Sequence, residues 1–183
     1  MISDPNRQPR LCECGGHGFA SLTRWGVMLF DAPDLAALAG RAWTAERRRG
    51  VTYAATGNRG GRLYAHRVVA GPEGQDVVDH ANHDGTDNRR ENLRVCARRH
   101  NSANARMRQP GKTGFKGVHK RGRRFIAVCS IGGRWTRLGS FETAEAAARA
   151  YDAEALRRAP EFACTNAMLG LLDRRPLSEG AAA

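Results

Sequence analysis

The chain has 183 residues, 41% of them hydrophobic, and a formal net charge of +12, enough apolar material for one modest core or two small ones. No apolar run reaches the roughly 18 residues of a membrane span, and the N-terminus lacks the basic-then-apolar layout of a secretory leader, so a cytoplasmic protein with no membrane partner is expected. Five scattered cysteines, an odd number, argue for reduced thiols over a disulfide framework, and Cys96, Cys129 and Cys164 read as small core residues.

The charge is unevenly spread. Thirteen basic residues lie between Arg89 and Arg124 against the single acid Glu91, while the rest of the chain balances at 17 and 17. A solvated charged face would not gather the whole excess into one stretch, so a polyanionic partner is favoured. Charge alone does not separate DNA from RNA or from an anionic membrane surface.

Residues 1–17 are polar and irregular and are expected to form a flexible N-terminus. Cys12, Cys14 and His17 make a C-x-C-x-x-H cluster there, but no fourth ligand stands at a recognised spacing, and the sequence by itself assigns no metal to it. Strands are expected at Val27 to Phe30 and Val51 to Ala55. A helix is expected over Ala32 to Gly40, opened by Pro33 and flanked by the helix-start acids Asp31 and Asp34. Trp25, Trp43 and Tyr53 read as core residues. Leu63 to Ala70 carries a further strand pattern, closed by a turn at Gly71, Pro72 and Gly74.

The next segment holds the candidate chemistry. Val77 to His80 reads as a short strand, Ala81 to Glu91 as a polar loop, Leu93 to Cys96 as a second strand, and Ala97 to Arg108 as a helix stopped at Pro110. Asp79 and His80 end the first strand, Asn92 opens the second, and Asn101 and Asn104 share a helix face. A carboxylate and an amide oxygen are hard ligands suited to Mg²⁺, and a neighbouring imidazole can activate water. Against this stands the plainer reading of any one of these residues as part of a polar turn before an Asx-capped helix.

The run "VDHANHDGTDNRRENLRVCARRHNSAN" resembles the HNH endonuclease family, particularly its phage and intron-encoded homing branch. The resemblance implies a ββα-metal core at about 77–108 within a nuclease domain spanning 18–107. It implies His80 as general base, Asp79 and Asn101 as ligands of a single divalent ion, Mg²⁺ or Mn²⁺, and Asn92 as the residue that fastens the loop so that His80 points at the scissile phosphate. "LYAHR" upstream also resembles the family and implies His66 and Arg67 near the phosphate, with Asn104 as a further candidate contact. Asn101 stands where the family's third position is often His, which suits an oxygen-ligated ion better than zinc. His83 departs from the pattern, because relatives carry glycine before the "DG" of the loop.

After a linker at 108–112, a second pattern occupies 113–166. Lys116 to Arg121, Arg124 to Ile131 and Arg134 to Leu138 read as three strands joined by turns at Gly122 and at Gly132 with Gly133. Thr143 then caps a helix running to about Arg158, with Ala147, Ala148, Tyr151 and Ala155 as its apolar stripe. Phe125, Ala127, Cys129 and Ile131 alternate toward that helix, so the opposite sheet face collects His119, Arg121, Arg124, Trp135 and Arg137. Trp135 as a plain core residue stays open. The run "TGFKGVHKRGRRFIAVCSIGGRWTRLGSFETAEAAARAYDAEAL" resembles the plant Apetala-two/ethylene-response-factor (ERF) DNA-binding domain, and Asn166 stands at that family's terminal asparagine. The resemblance implies a three-stranded antiparallel sheet that enters the major groove, with Lys116, His119, Arg121, Arg124, Trp135 and Arg137 contacting DNA. Lys116 and His119 replace arginines of the family's first strand and the following turn is shorter, so the plant target sequence does not carry over. Residues 167–183 are expected to be a tail.

The expectation is therefore an α+β protein in which a ββα-metal core precedes a three-stranded sheet packed on one helix. Its function would be that of a site-specific homing or mobile-element endonuclease for double-stranded DNA in a bacterial or phage-infected cell, with no obligate protein partner evident. The alternative is a DNA-binding transcriptional regulator whose nuclease core is inactive. An RNA-binding protein fits the charge but lacks paired stacking aromatics.

Overall fold

Short alternating segments punctuated by glycine turns give this chain several small antiparallel sheets in place of one large one. The computed structural model describes residues 7–23, 26–58, 61–98, 103–104, 111–131 and 134–173. The fold is mixed α+β and divides into two compact units, Met1–Arg98 and Arg99–Ala183. Among the described residues no helix is long and apolar enough to cross a membrane.

In the first unit, β1 (Arg10–Leu11), β2 (His17–Ser21) and β3 (Val27–Asp31) form one sheet in sequence order, and β4 (Thr44–Arg48), β5 (Val51–Asn58) and β6 (Gly61–Tyr64) form another. A two-stranded ribbon of β7 (Val77–His80) and β8 (Leu93–Cys96) sets Asp79 opposite Arg94 and His80 opposite Leu93. Two short helices, α1 (Leu35–Leu38) and α2 (Ala65–Ala70), complete the unit. Met28, Phe30, Leu38, Trp43, Ala54, Ala65 and Val69 share its core. Trp43 is fully buried there because its indole N–H finds the Leu38 carbonyl at 3.0 Å.

Three expectations are corrected here. Residues 10 and 11 pair with β2 through Arg10 to Phe19 and Leu11 to Gly18, so the N-terminal segment is ordered at least from that point. Leu63 to Ala70 is not one strand: β6 ends at Tyr64 and α2 follows. Ala65 and Val69, one helical turn apart, are its buried pair, and Gly71 at φ 57° supplies the left-handed cap, donating its N–H to Arg67 O at 3.1 Å. Finally, Asp31 and Asp34 make no side-chain cap bond to the helix that follows them. Trp25 lies outside the described residues.

In the second unit, β9 (Val118–Arg121), β10 (Arg124–Ile131) and β11 (Arg134–Phe141) form a sheet with β10 in the middle, and α3 (Ala144–Arg158) covers one face. Thr143 caps α3, its hydroxyl accepting from the Ala146 N–H at 3.1 Å. Ala147, Ala148, Tyr151 and Ala155 are buried, and the three alanines let the helix lie close to the sheet. The approach is close enough at Gly117 that an added Cβ would sit 2.1 Å from the Tyr151 ring and 2.7 Å from Val128 O. Asn166, fully buried, closes the unit. Its side chain accepts from Lys116 N at 2.6 Å and donates to Asp152 Oδ1 at 2.8 Å, tying the segment after α3 to that helix and to the residues leading into β9.

Of the helix expected over Ala97 to Arg108, the described residues Arg98, Ala103 and Asn104 are helical. Ala103 belongs to the same buried cluster as Cys129, Ile131, Tyr151 and Ala155 and accepts the Cys164 N–H at 3.1 Å, so this part of the segment is core of the second unit.

Candidate nuclease site

The site is built on the end of β7 and the loop that returns to β8. Asp79 and His80 are each 6% exposed. The loop is organised by its own side chains. Asn92 accepts the Asn82 N–H at 2.9 Å through Oδ1 and donates from Nδ2 to the Asp87 carbonyl at 2.7 Å, while its own carbonyl takes the Ala81 N–H at 2.9 Å. Asp87 in turn accepts from Asn82 Nδ2 at 2.9 Å and from two guanidinium nitrogens of Arg89 at 2.8 Å. Asn92 is thereby a clasp between the two ends of the loop. Because it is buried, removing its amide would strand these partners.

The loop is also fastened to the rest of the unit. Asp31 accepts the Arg90 backbone N–H at 2.7 Å, and Asp34 accepts two bonds from the Arg90 guanidinium at 3.0 and 2.6 Å. These acids therefore anchor the 81–92 loop across more than fifty residues of chain. Leu29 exchanges backbone bonds with Thr86 and Asn88. Gly85 lies so close to β5 that a Cβ would fall 2.5 Å from Thr52 O and 2.6 Å from the Tyr53 ring. His83 sits at φ 64°, a left-handed conformation that costs a side-chain-bearing residue about 1–2 kcal/mol.

Around His80 the rings of Tyr53 and His66 close in: His66 to His80 is 5.1 Å between centroids, Tyr53 to His66 5.5 Å and Tyr53 to His80 5.8 Å. Tyr64 stacks on His66 at 5.4 Å and donates to Glu46 at 3.0 Å. Burial pushes the His80 imidazole below its ordinary pKa, against the opposing pull of the Asn88 side chain and the Asp79, Asp84 and Asp87 carboxylates. Burial, then the neighbouring His80 and Arg67, push His66 down to about 3. The buried His66 Nδ1 has no hydrogen-bond partner among the described residues. Burial and the Asp79 charge raise Tyr53. From the sequence Tyr53 reads as a core residue and Tyr64 has no role of its own. The only signal for Tyr64 was its place in "LYAHR", and none pointed to Tyr53.

Asp79 carries a counter-charge. Arg94, its cross-strand neighbour, donates to Asp79 Oδ2 at 2.5 Å. Arg67 donates to the Asp76 carbonyl at 3.2 Å. Asn101 lies outside the described residues. Asn104 is buried in the second unit, at 5% exposure, so the expected phosphate contact is withdrawn from solvent.

In the second unit, strand register puts Arg121 beside Arg124, His119 beside Ile126, Arg137 beside Val128 and Trp135 beside Ser130. His119, Arg121, Arg124, Trp135 and Arg137 consequently share the sheet face turned away from α3. Trp135 is 66% exposed, which excludes the core reading. Arg124 reaches back to the Ser140 carbonyl at 2.9 Å and to Glu142 at 3.2 Å. Lys116 is a correction. Its ammonium donates to the Ala103 and Cys164 carbonyls at 3.1 and 2.9 Å and lies over the Tyr151 ring. Burial lowers its pKa, and the side chain is structural, with its donors turned inward.

No family model matches the chain, and no curated protein or solved structure matches it either.

Proposed function

We propose that the chain is an HNH-type endonuclease that hydrolyses double-stranded DNA in the cytoplasm, with the second unit as its DNA-binding module. The observation that carries this reading is the end of β7. There a buried carboxylate and a buried imidazole stand in sequence beneath a loop whose two ends are clasped by Asn92.

In this reading His80 takes the proton from the attacking water. Burial favours the neutral imidazole, the form that can accept it. Asn92 holds the loop, and the Tyr53 and His66 rings fix the plane of His80. Asp79 offers the hard oxygen that Mg²⁺ or Mn²⁺ prefers. The Arg94 guanidinium on Asp79 Oδ2 would have to share that carboxylate with the ion or give it up. Such an ion would supply Lewis-acid stabilisation of the charge growing on the phosphate. Arg121, Arg124, Arg137 and His119 would meet phosphates and base edges from the open sheet face, and the exposed Trp135 would pack against the groove.

A regulator without nuclease activity is the second reading, favoured by the same Arg94, which satisfies Asp79 without a metal. Plasmid cleavage with and without Mg²⁺ tests the two. Magnesium-dependent nicking or linearisation that is lost in His80→Ala supports the nuclease. Tight binding with no cleavage by the wild-type chain supports the regulator.

A further inference from the structure

The turn between β1 and β2 carries side chains that the proposed nuclease does not use. It is tight: the Cys12 N–H donates to His17 O and the Gly15 N–H to Cys12 O, each at 2.9 Å, with Gly15 at φ 71° making the bend. The result folds Cys12, Cys14 and His17 onto one side. One ligand atom from each lies within 4.8 Å of the other two, and Cys14 Sγ is 3.2 Å from His17 Nδ1.

These distances are those of an open chelate. Two thiolates and an imidazole around a tetrahedral zinc, at about 2.3 Å for sulfur and about 2.0 Å for nitrogen, stand roughly 3.5–3.8 Å apart. The Cys14 to His17 edge is already that short, and because none of the three residues is buried, side-chain rotation can close the rest. The backbone is arranged for a thiolate as well: the Gly16 and His17 amides and the Cys12 thiol direct hydrogen bonds at the Cys14 sulfur and hold its thiol below the ordinary range. Cys96, Cys129 and Cys164, by contrast, are buried, and all five cysteines are free thiols.

We propose that Cys12, Cys14 and His17 form a binding site for a thiophilic divalent cation, zinc above all, with the fourth tetrahedral position open to water. Binding deprotonates both thiols, releasing two protons to solvent, and joins the sulfurs and His17 Nδ1 to the metal. The donor set is soft, so it selects against Mg²⁺ and Mn²⁺ and is chemically distinct from the oxygen donors at Asp79. Its structural consequence is local. β1 has only two residues, both exposed, and a metal bridging the turn pins that strand to β2.

The test uses the full-length, reduced, metal-stripped chain titrated with Co²⁺. The expected result is one equivalent bound with a near-ultraviolet sulfur-to-cobalt charge-transfer band, displaced by Zn²⁺ and not by Mg²⁺. Cys14→Ser should weaken the band, and the Cys12→Ser/Cys14→Ser double variant should lose it while keeping the wild-type circular dichroism. Cobalt held only by oxygen at Asp79 gives no such band, so the readout is independent of the nuclease assignment. A wild-type titration with no charge-transfer band overturns the site whatever the variants do. So does a band of undiminished strength in the double variant, because the sulfur would then come from the buried cysteines.

Discussion

The rings of His66 and His80 meet edge to face, with centroids 5.1 Å apart and an interplanar angle of 87°. His80 lowers the tendency of His66 to take up a proton, on top of the burial that dominates for both. Both therefore enter the neutral range with uncharged imidazoles.

The first expectation is a pH dependence with a definite sign. The acid limb of a cleavage profile should fall below the ordinary imidazole value of about 6.5. NMR titration should find the His66 ring unprotonated until about pH 3. Because the folded-state pKa values lie below the unfolded ones, the unfolded chain takes up protons first as pH falls. Stability should then be unaffected by these groups above about pH 6.5 and decline below it. Denaturant titrations at about pH 5 and about pH 8 would check this, and equal midpoints would contradict it.

Replacing His80 with Ala should lower cleavage by about 10²–10⁴-fold while binding to DNA changes little, since affinity rests on basic side chains elsewhere. Mg²⁺ or Mn²⁺ should restore activity after chelation, and Zn²⁺ should do so poorly. Wild-type cleavage rates in His80→Ala, or preferential rescue by zinc, would remove the proposed mechanism.

Asp79→Ala should both abolish cleavage and destabilise the first unit, because it leaves the Arg94 guanidinium without its 2.5 Å partner. Arg94 is 26% exposed, so the loss should be smaller than the roughly 3–5 kcal/mol of a fully buried pair. Adding Arg94→Ala should recover stability without recovering activity. Thermal melts beside plasmid assays separate the two effects.

His83→Gly should stabilise the fold by about 1 kcal/mol by relieving the left-handed backbone at φ 64°. Gly85→Ala should do the opposite, since the new methyl meets Thr52 O and the Tyr53 ring. Chemical denaturation of the two variants would show midpoints moving in opposite directions.

On the DNA-binding side, Arg121→Ala and Arg137→Ala should each cost roughly 1–3 kcal/mol at a preferred site and relax sequence preference. Lys116→Met should cost stability and leave affinity nearly untouched, because its ammonium already serves two backbone carbonyls. Titrations on preferred and scrambled duplexes at several salt concentrations measure both. Equal losses on both duplexes for the arginine variants would leave the sheet a phosphate anchor only.

Much of this architecture was legible in the chain itself, wherever the signal was local. Asp79, His80 and Asn92 could be placed at the ends of a ribbon because strand alternation and the Asn, Asp and Gly content of residues 81–92 act over a few residues. The three strands and the Thr143-capped helix of the second unit were readable for the same reason, and alternation alone sorted His119, Arg121, Arg124, Trp135 and Arg137 onto one face. What a charged or aromatic residue does once folded depends on a partner distant in sequence. Lys116 and Arg121 are equal contributors to the basic stretch, yet one is sealed under carbonyls and the other faces solvent. Arg89, Arg90 and Arg94 belong to the same excess, but Asp87, Asp34 and Asp79 hold them. Tyr53 reaches His80 only because β5 lies against the loop. Net charge and periodicity are sums along the chain, whereas compensation of a charge and desolvation of an imidazole are set by neighbours in space, and those the tertiary structure alone decided.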